Sequence, residues 1–389
     1  MIRTLLVARG LRAFADGFVA VVLPAYLLAL GLSQVEVGVL STATLLGSAL
    51  ATLAVGRWGH QHSLRRLLLA AAVLMAATGL GFAAFDSLWP LLVVAFLGPL
   101  NPSGGDSSVF LPLEHSVLAS ATTSEGRATA FGRYSFTGSA SGAVGALAAA
   151  LPELLAAHGG VSLLQGLRAM FLIYAATGVA AWLLYRRIPE VVPEHAPSPL
   201  GPSRSMVWKL AGLFSVDSFA GGLVINSLLA LWLFDRFNLS LTAAGAFFFW
   251  SGTLSAVSQL LAPVLARRIG LINTMVFTHI PASLCLIGAA FAPSLEMALV
   301  LLFVRSALSQ MDVPARSAFV MSVVTPAERP AAASFTAVPR SLASALSPSL
   351  TGVMFAAGAM ATPLVACGVL KIAYDLALFA AFRRVESRS

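Results

Sequence analysis

Apolar runs of roughly twenty residues, cut by glycine, proline and charge, recur from one end of the chain to the other. A helix crossing a bilayer needs about 20 mostly apolar residues, because a rise of about 1.5 Å per residue must cover about 30 Å of hydrocarbon. The runs predict twelve helices, at 5–31, 37–57, 66–85, 88–112, 128–152, 166–187, 207–235, 241–265, 272–291, 296–320, 331–357 and 361–382. The pattern blurs over 100–128 and 312–332, where Gly, Pro and charge crowd together. One polar connection stands out by length: PEVVPEHAPSPLGPSRS, 189–205, has the Pro, Ser and charge of a linker. It separates an N-terminal six-helix bundle, 1–188, from a C-terminal one, 207–389, with 189–206 as a cytoplasmic linker. The fold class expected is an all-α membrane protein of two six-helix bundles.

Composition strengthens this reading. Of 389 residues 58% are hydrophobic and 10% charged, against about 25% charged in a soluble domain. The net charge of +8 is read as loop arginines rather than a nucleic-acid surface. Arg3, Arg57, Arg65, Arg66, Arg186, Arg187, Arg267, Arg268 and Arg383 fall on one side of the twelve-helix scheme, and little beyond Arg168 and Arg236 on the other. The positive-inside rule then puts both termini in the cytoplasm of a bacterial cell, with the chain in its inner membrane. The basic, then apolar start, MIRTLLVARGLRAFADGF, is read as the first membrane helix rather than a removed signal. Cys285 and Cys367 lie far apart in apolar runs, so neither a disulfide framework nor a metal site is expected. No nucleophile–base spacing or nucleotide motif points to an enzyme or to a cofactor. The Gly-rich stretch PLNPSGGDSS, 99–108, lacks the GK[ST] of a phosphate loop.

The halves repeat. PLEHSVLASATTSEGR (112–127) aligns without gaps to PARSAFVMSVVTPAER (314–329), setting Glu114 opposite Arg316. FADGF (14–18) echoes SVDSF (215–219), setting Asp16 opposite Asp217. LSQVEVG (32–38) and LSLTAAG (239–245) open the second and eighth helices. Duplicated halves are a mark of secondary transporters.

Six helices, a linker and six more, with this internal repeat, resemble the major facilitator superfamily over nearly the whole chain. GRWGHQHSLRR, 56–66, is similar to that family's loop between helices 2 and 3, keeping Gly56 and Arg65–Arg66 but carrying His60 and Ser63 at the acidic and second glycine positions. GRYSFTGSASGAVG, 132–145, has the small-residue spacing of the family's antiporter motif in Gly138, Gly142 and Gly145, without its proline. The resemblance implies that helices 1, 4, 7 and 10 line a central cavity. Asp16, Asp106, Asp217 and Asp312 fall on those helices, one each.

An ionisable side chain at mid-bilayer costs roughly 2.5–3.5 kcal/mol on insertion scales, so it faces protein or water and tends to be functional. Asp16 and its repeat partner Asp217 are the proton-coupling candidates. Arg12 shares a face with Asp16 at i, i+4, which leaves a permanent Arg12–Asp16 pair as the alternative. Arg305, ten residues into helix 10, reads as a partner for an anionic substrate, or else as half of a structural ion pair. Arg12, Tyr26, Asn226, Trp250, Arg305, Ser309 and Arg340 make up the cavity candidates. Glu114 and Arg316, with Asp106 and Asp312 nearby, suggest a cytoplasmic gate closed between the halves, or separate pairs within each half. Lys371, Tyr374 and Asp375 read as a structural cluster, and His279, just before Pro281, as a packing histidine.

The function expected is alternating-access transport of a small molecule, proton-coupled and outward, as in drug or metabolite efflux; the direction follows family frequency. An uptake symporter or facilitator for an organic anion is the first alternative, with Arg12, Arg305 and Arg340 as its anion site. A receptor or lipid-handling protein on the same fold is the second. The expected partners are the substrate, protons and the bilayer, with the chain a monomer.

Overall fold

The computed structural model describes residues 1–103, 108–122, 126–190, 201–325 and 328–386. Helices from the first half of the chain are α1 Ile2–Ala29, α2 Gln34–Trp58, α3 Leu64–Ala84, α4 Leu88–Leu97, α5 Phe110–Ser120, α6 Arg127–Ala148, α7 Leu151–His158 and α8 Leu163–Tyr185. Those from the second are α9 Arg204–Gly222, α10 Asn226–Phe237, α11 Leu241–Ile269, α12 Leu271–Ala290, α13 Leu295–Ser309, α14 Asp312–Ser322, α15 Arg329–Ala356 and α16 Thr362–Glu386. Among the described residues ten segments are long and apolar enough to cross a membrane, and Leu88–Leu97 is a shorter apolar helix. The twelve spans expected from the apolar runs are not reached by this measure.

Two runs read as single helices are broken. The run at 88–112 divides into α4, which ends at Leu97, and α5, which begins at Phe110. Residues 104–107, including the gate candidate Asp106, lie outside the described residues, as do 191–200 of the linker. The run at 296–320 divides into α13 and α14, parted at Gln310 and Met311. Pro314 is the third residue of α14, where a backbone N–H has no helical acceptor, so the proline is accommodated and the break falls before it. Arg305 and Asp312 therefore do not share one continuous helix face. The repeat survives in this detail: α5 and α14 are 11 residues each, with Phe110 matched to Asp312 and Ser120 to Ser322.

The chain forms two compact units, residues 1–196 with 225–249, and residues 197–224 with 250–389. The first thus takes 225–249 from beyond the linker. In it, α1 lies against α6 and α8, and α3 against α8. Small residues permit this closeness: a Cβ on Gly145 would stand 2.0 Å from the Phe14 carbonyl oxygen, so no larger residue fits without parting α1 from α6. α10 packs on α1. The Ser227 amide donates to the Pro102 carbonyl (3.1 Å), and the Gln34 side-chain amide donates to Asp235. Glu153 accepts from the amides of Leu241 (2.8 Å) and Thr242 (2.9 Å) and from the Thr242 hydroxyl (2.7 Å), satisfying donors that the start of α11 leaves open.

In the second unit α9 runs along α15 and α16, and α12 packs on α16, α13 and α14. Leu210, Phe214, Met275, Phe319, Leu378 and Phe382 fill the space between them. Glu328 ties the start of α9 to this core. Its carboxylate accepts from the hydroxyls of Thr325 (2.6 Å) and Ser203 (2.7 Å) and from the amide of Gly201 (2.5 Å). Those hydroxyls, then the amides, hold its pKa down to about 2. A folded pKa below the ordinary value of about 4.3 contributes stability above that pH and loses it as the pH falls toward 2. Glu328→Gln should therefore flatten the fall in apparent unfolding temperature between about pH 4 and pH 2. An unchanged acid limb would show that the tether carries no such linkage.

Candidate functional site

Each unit holds a buried charge cluster within its apolar helices. In the first, Arg12 on α1 and Glu114 on α5 are 1% and 0% exposed. Charges taken out of water this far must be matched and hydrogen-bonded. Arg12 pairs with Glu114, and its Nε donates to the Tyr185 hydroxyl (3.0 Å). Glu114 also accepts from the hydroxyls of Tyr134 and Tyr185, the latter at 2.6 Å. The Phe110 ring lies 4.0 Å from the Arg12 guanidinium carbon, adding a cation–π contact. Arg9, one turn earlier, stacks over Tyr134 at 5.1 Å. The result is a satisfied polar knot of the kind that rigidifies a core.

In the second unit Asp217 on α9 is the hub. It accepts from Arg316 on α14 (3.0 Å) and from Lys371 on α16 (2.6 Å). Arg316 is shared with Asp312, one turn earlier on α14, at 3.3 Å. Lys371 Nζ lies 3.4 Å from His279 Nε2 on α12, and His279 Nδ1 lies 3.1 and 3.0 Å from the two carboxylate oxygens of Asp375. The chain of contacts Asp312–Arg316–Asp217–Lys371–His279–Asp375 joins four helices. All its members are buried except Lys371, which keeps 14% of its side chain exposed.

The repeat is legible in these two clusters. Glu114 and Arg316, at matched positions, each pair with the first long helix of their own unit. The polarity is exchanged: the cation of the first pair is on α1, and that of the second is on α14. The gate expected from Glu114 and Arg316 pairing with each other thus gives way to one ion pair in each unit. Asp16 is half-buried, one turn beyond Arg12, and within electrostatic reach of Arg12 and Tyr174. Arg12 forms its ion pair with Glu114.

The other candidates scatter. Tyr26 is 0% exposed, donates to the Phe82 carbonyl and packs on Phe171 at 4.8 Å; it is a packing residue, not a cavity residue. Asn226 is half-buried at the start of α10, and Ser309 is half-buried at the end of α13. Trp250 is 57% exposed on α11. Arg305 is half-buried and has no carboxylate partner among the described residues; Cys367 of α16 lies close enough to feel its charge. Arg340 donates from Nε to the Ser218 hydroxyl (3.1 Å), again without an ion-paired carboxylate among the described residues. His279, Lys371 and Asp375, read as structural from sequence, extend the Asp217 cluster. Lys371 and Asp375 are spaced i, i+4, which favours a local pair; the structure gives each a partner on another helix. No sequence signal ties α12 to α9. Among the described residues no group of three or more His, Cys, Asp or Glu could hold a metal.

Two helical units, each with a buried charge cluster, in a chain with ten segments of membrane length among the described residues, define a multi-pass membrane protein of transporter type. A family model described as Major Facilitator Superfamily matches residues 5–304, and the chain belongs to that family of transporters, not to an enzyme family. An uncharacterized membrane protein of Saccharomyces cerevisiae, YJR124C, is 21% identical over 416 residues, covering 97% of this chain and 93% of its own. Among solved structures, a mutant form of the nucleoside transporter NupG has a TM-score of 0.74 at 15% identity, with 98% of this chain and 99% of that one covered. A bacterial homolog of the human lysosomal transporter Spinster has 0.73 at 19% identity, covering 100% and 96%. The human organic anion transporter MFSD10 has 0.66 at 18%, covering 97% and 98%. At these identities the structural likeness establishes the fold.

Proposed function

We propose that the chain moves a small molecule across the inner membrane by alternating access, driven by protons and directed outward, with both termini in the cytoplasm. The observation that carries the proton coupling is the Asp217 cluster. A carboxylate, two cations and a histidine–aspartate pair, buried on four helices, cost more to keep than an apolar core would, and such groups mark ion pathways. Asp16 is the second coupling candidate, as a half-buried carboxylate on α1 within electrostatic reach of Arg12. The outward direction rests on family frequency.

A second reading is supported by Arg305 and Arg340. Two guanidiniums without ion-paired carboxylates among the described residues are suited to an organic anion. Neutralising Arg305 separates the readings: it removes anion binding under the second and only perturbs transport under the first.

The test uses everted vesicles enriched in the protein, with a respiration-driven pH gradient and a panel of cationic, neutral and anionic compounds. One compound class should dissipate the gradient with the native protein and not with Asp217→Asn. A response that survives both Asp217→Asn and Asp16→Asn would overturn the assignment of coupling to these carboxylates.

A further inference from the structure

The Asp217 cluster contains a histidine, the side chain that ordinarily changes charge near neutral pH, and its surroundings are lopsided. The ionised Asp375 carboxylate offers only acceptors to His279 Nδ1, at 3.1 and 3.0 Å, and beside it Nδ1 carries the hydrogen and the open position is Nε2. Nε2 faces two competitors. The Lys371 ammonium, a donor, is 3.4 Å away, and Asp217 Oδ1, an acceptor, is 3.9 Å away. Lys371 itself holds that same Asp217 oxygen at 2.6 Å. When Nε2 is bare, it can accept from Lys371. When Nε2 carries a proton, it repels Lys371 and its natural acceptor is Asp217.

The charge balance points the same way. Asp217, Asp312 and Asp375 supply three negative charges, and Arg316 and Lys371 supply two positive ones, so the directly bonded set is short by one cation. Arg340 on α15 stands nearby but is bonded to the Ser218 hydroxyl. The remaining titratable neighbours are both on α16. One is Tyr374, whose ring lies 6.3 Å from the imidazole and whose buried hydroxyl has no hydrogen-bond partner among the described residues; the other is Cys367. α13 contributes Arg305, which acts on Cys367. Lys371, with 14% of its side chain exposed, is the most accessible member of the ion-paired set.

We propose that His279 Nε2 is the proton-binding position of this protein, and that loading it transfers Asp217 Oδ1 from Lys371 to the imidazolium. The proton comes from water, binds the Nε2 lone pair, and returns to water on unloading; no covalent bond between heavy atoms changes. Asp375 is a positioning residue that fixes the tautomer, and Asp217 is the switch between its two partners on α12 and α16. The proposal rests on the proton-coupled reading above and deepens it by moving the proton from Asp217, which is flanked by two cations, to the histidine behind it.

The test is a pH titration of the purified full-length protein labelled with 15N-histidine, followed by NMR. The chain has six histidines, and the His279 signals are assigned by their absence in His279→Gln. Should that variant fail to fold, Asp375→Asn displaces the same signals and assigns them. The expected result is a change at Nε2 from a bare to a protonated nitrogen on acidification, with Nδ1 protonated while Asp375 is ionised. Asp217→Asn should move this step by about one pH unit or more to lower pH, and Lys371→Met by a similar amount to higher pH. A step that neither variant moves, or an Nε2 that never titrates, overturns the proposal. A silent His279 in vesicles that move protons sinks this inference alone. A titrating His279 in a protein that moves none leaves the site standing and sinks proton-driven transport.

Discussion

Glu114→Leu should leave little folded protein, and Arg12→Leu/Glu114→Leu should restore most of it. The single change strands a guanidinium that is 1% exposed inside the first unit. Breaking a buried ion pair from one side costs about 3–5 kcal/mol, a large share of a total stability of about 5–15 kcal/mol. The Tyr134 and Tyr185 hydroxyls lose an acceptor as well. Removing both charges removes the stranded cation and leaves apolar side chains of suitable size, often a neutral exchange. The readouts are the monodisperse fraction after detergent extraction and the apparent unfolding temperature. A Glu114→Leu protein as stable as the native one would show that the pair is not buried as described.

Asp217→Asn should reduce transport to background while the protein still folds in part. Asparagine keeps one acceptor oxygen, puts a donor NH2 in place of the other and offers no charge, so Arg316 and Lys371 lose the anion they share. Adding Lys371→Met removes one of the two freed cations and should recover folded yield. It should not recover transport, because the partner exchange at Asp217 is still missing. Transport restored by the double variant would mean that Asp217 only balances charge. Transport at native level in Asp217→Asn would remove the cluster from the mechanism altogether.

The sequence shows the architecture far better than the site. Apolar runs of membrane length and the gapless repeat at 112–127 and 314–329 carry the two-bundle reading, and α5 and α14 keep the same limits under that repeat. The end of α4 at Leu97 and the break at 310–311 are harder to read. Helix ends inside a membrane are set by which neighbour satisfies the freed backbone groups, and that partner is remote in sequence. The packing of 225–249 with the first half has the same character, since it depends on Pro102, Gln34 and Glu153. Charged residues in apolar runs announce that Arg12, Asp217, Glu114 and Arg316 matter. Their partners are not announced, because an i, i+4 spacing favours a local pair and says nothing of the next helix. Arg12 reaches Glu114 on another helix, and Asp375 reaches His279 on another. Tyr26 is ambiguous for a related reason: a tyrosine in an apolar helix serves packing or a cavity equally well until its hydroxyl is seen to reach the Phe82 carbonyl.

The most direct test of proton-driven transport is made on purified protein in liposomes with a pH-sensitive dye trapped inside and the membrane potential clamped at zero. A gradient of the compound that responded in vesicles is imposed in one direction and then in the other. Proton movement that reverses sign with the solute gradient, and vanishes in Asp217→Asn, is the predicted result. Solute movement without proton movement in either direction would contradict it and leave a facilitator.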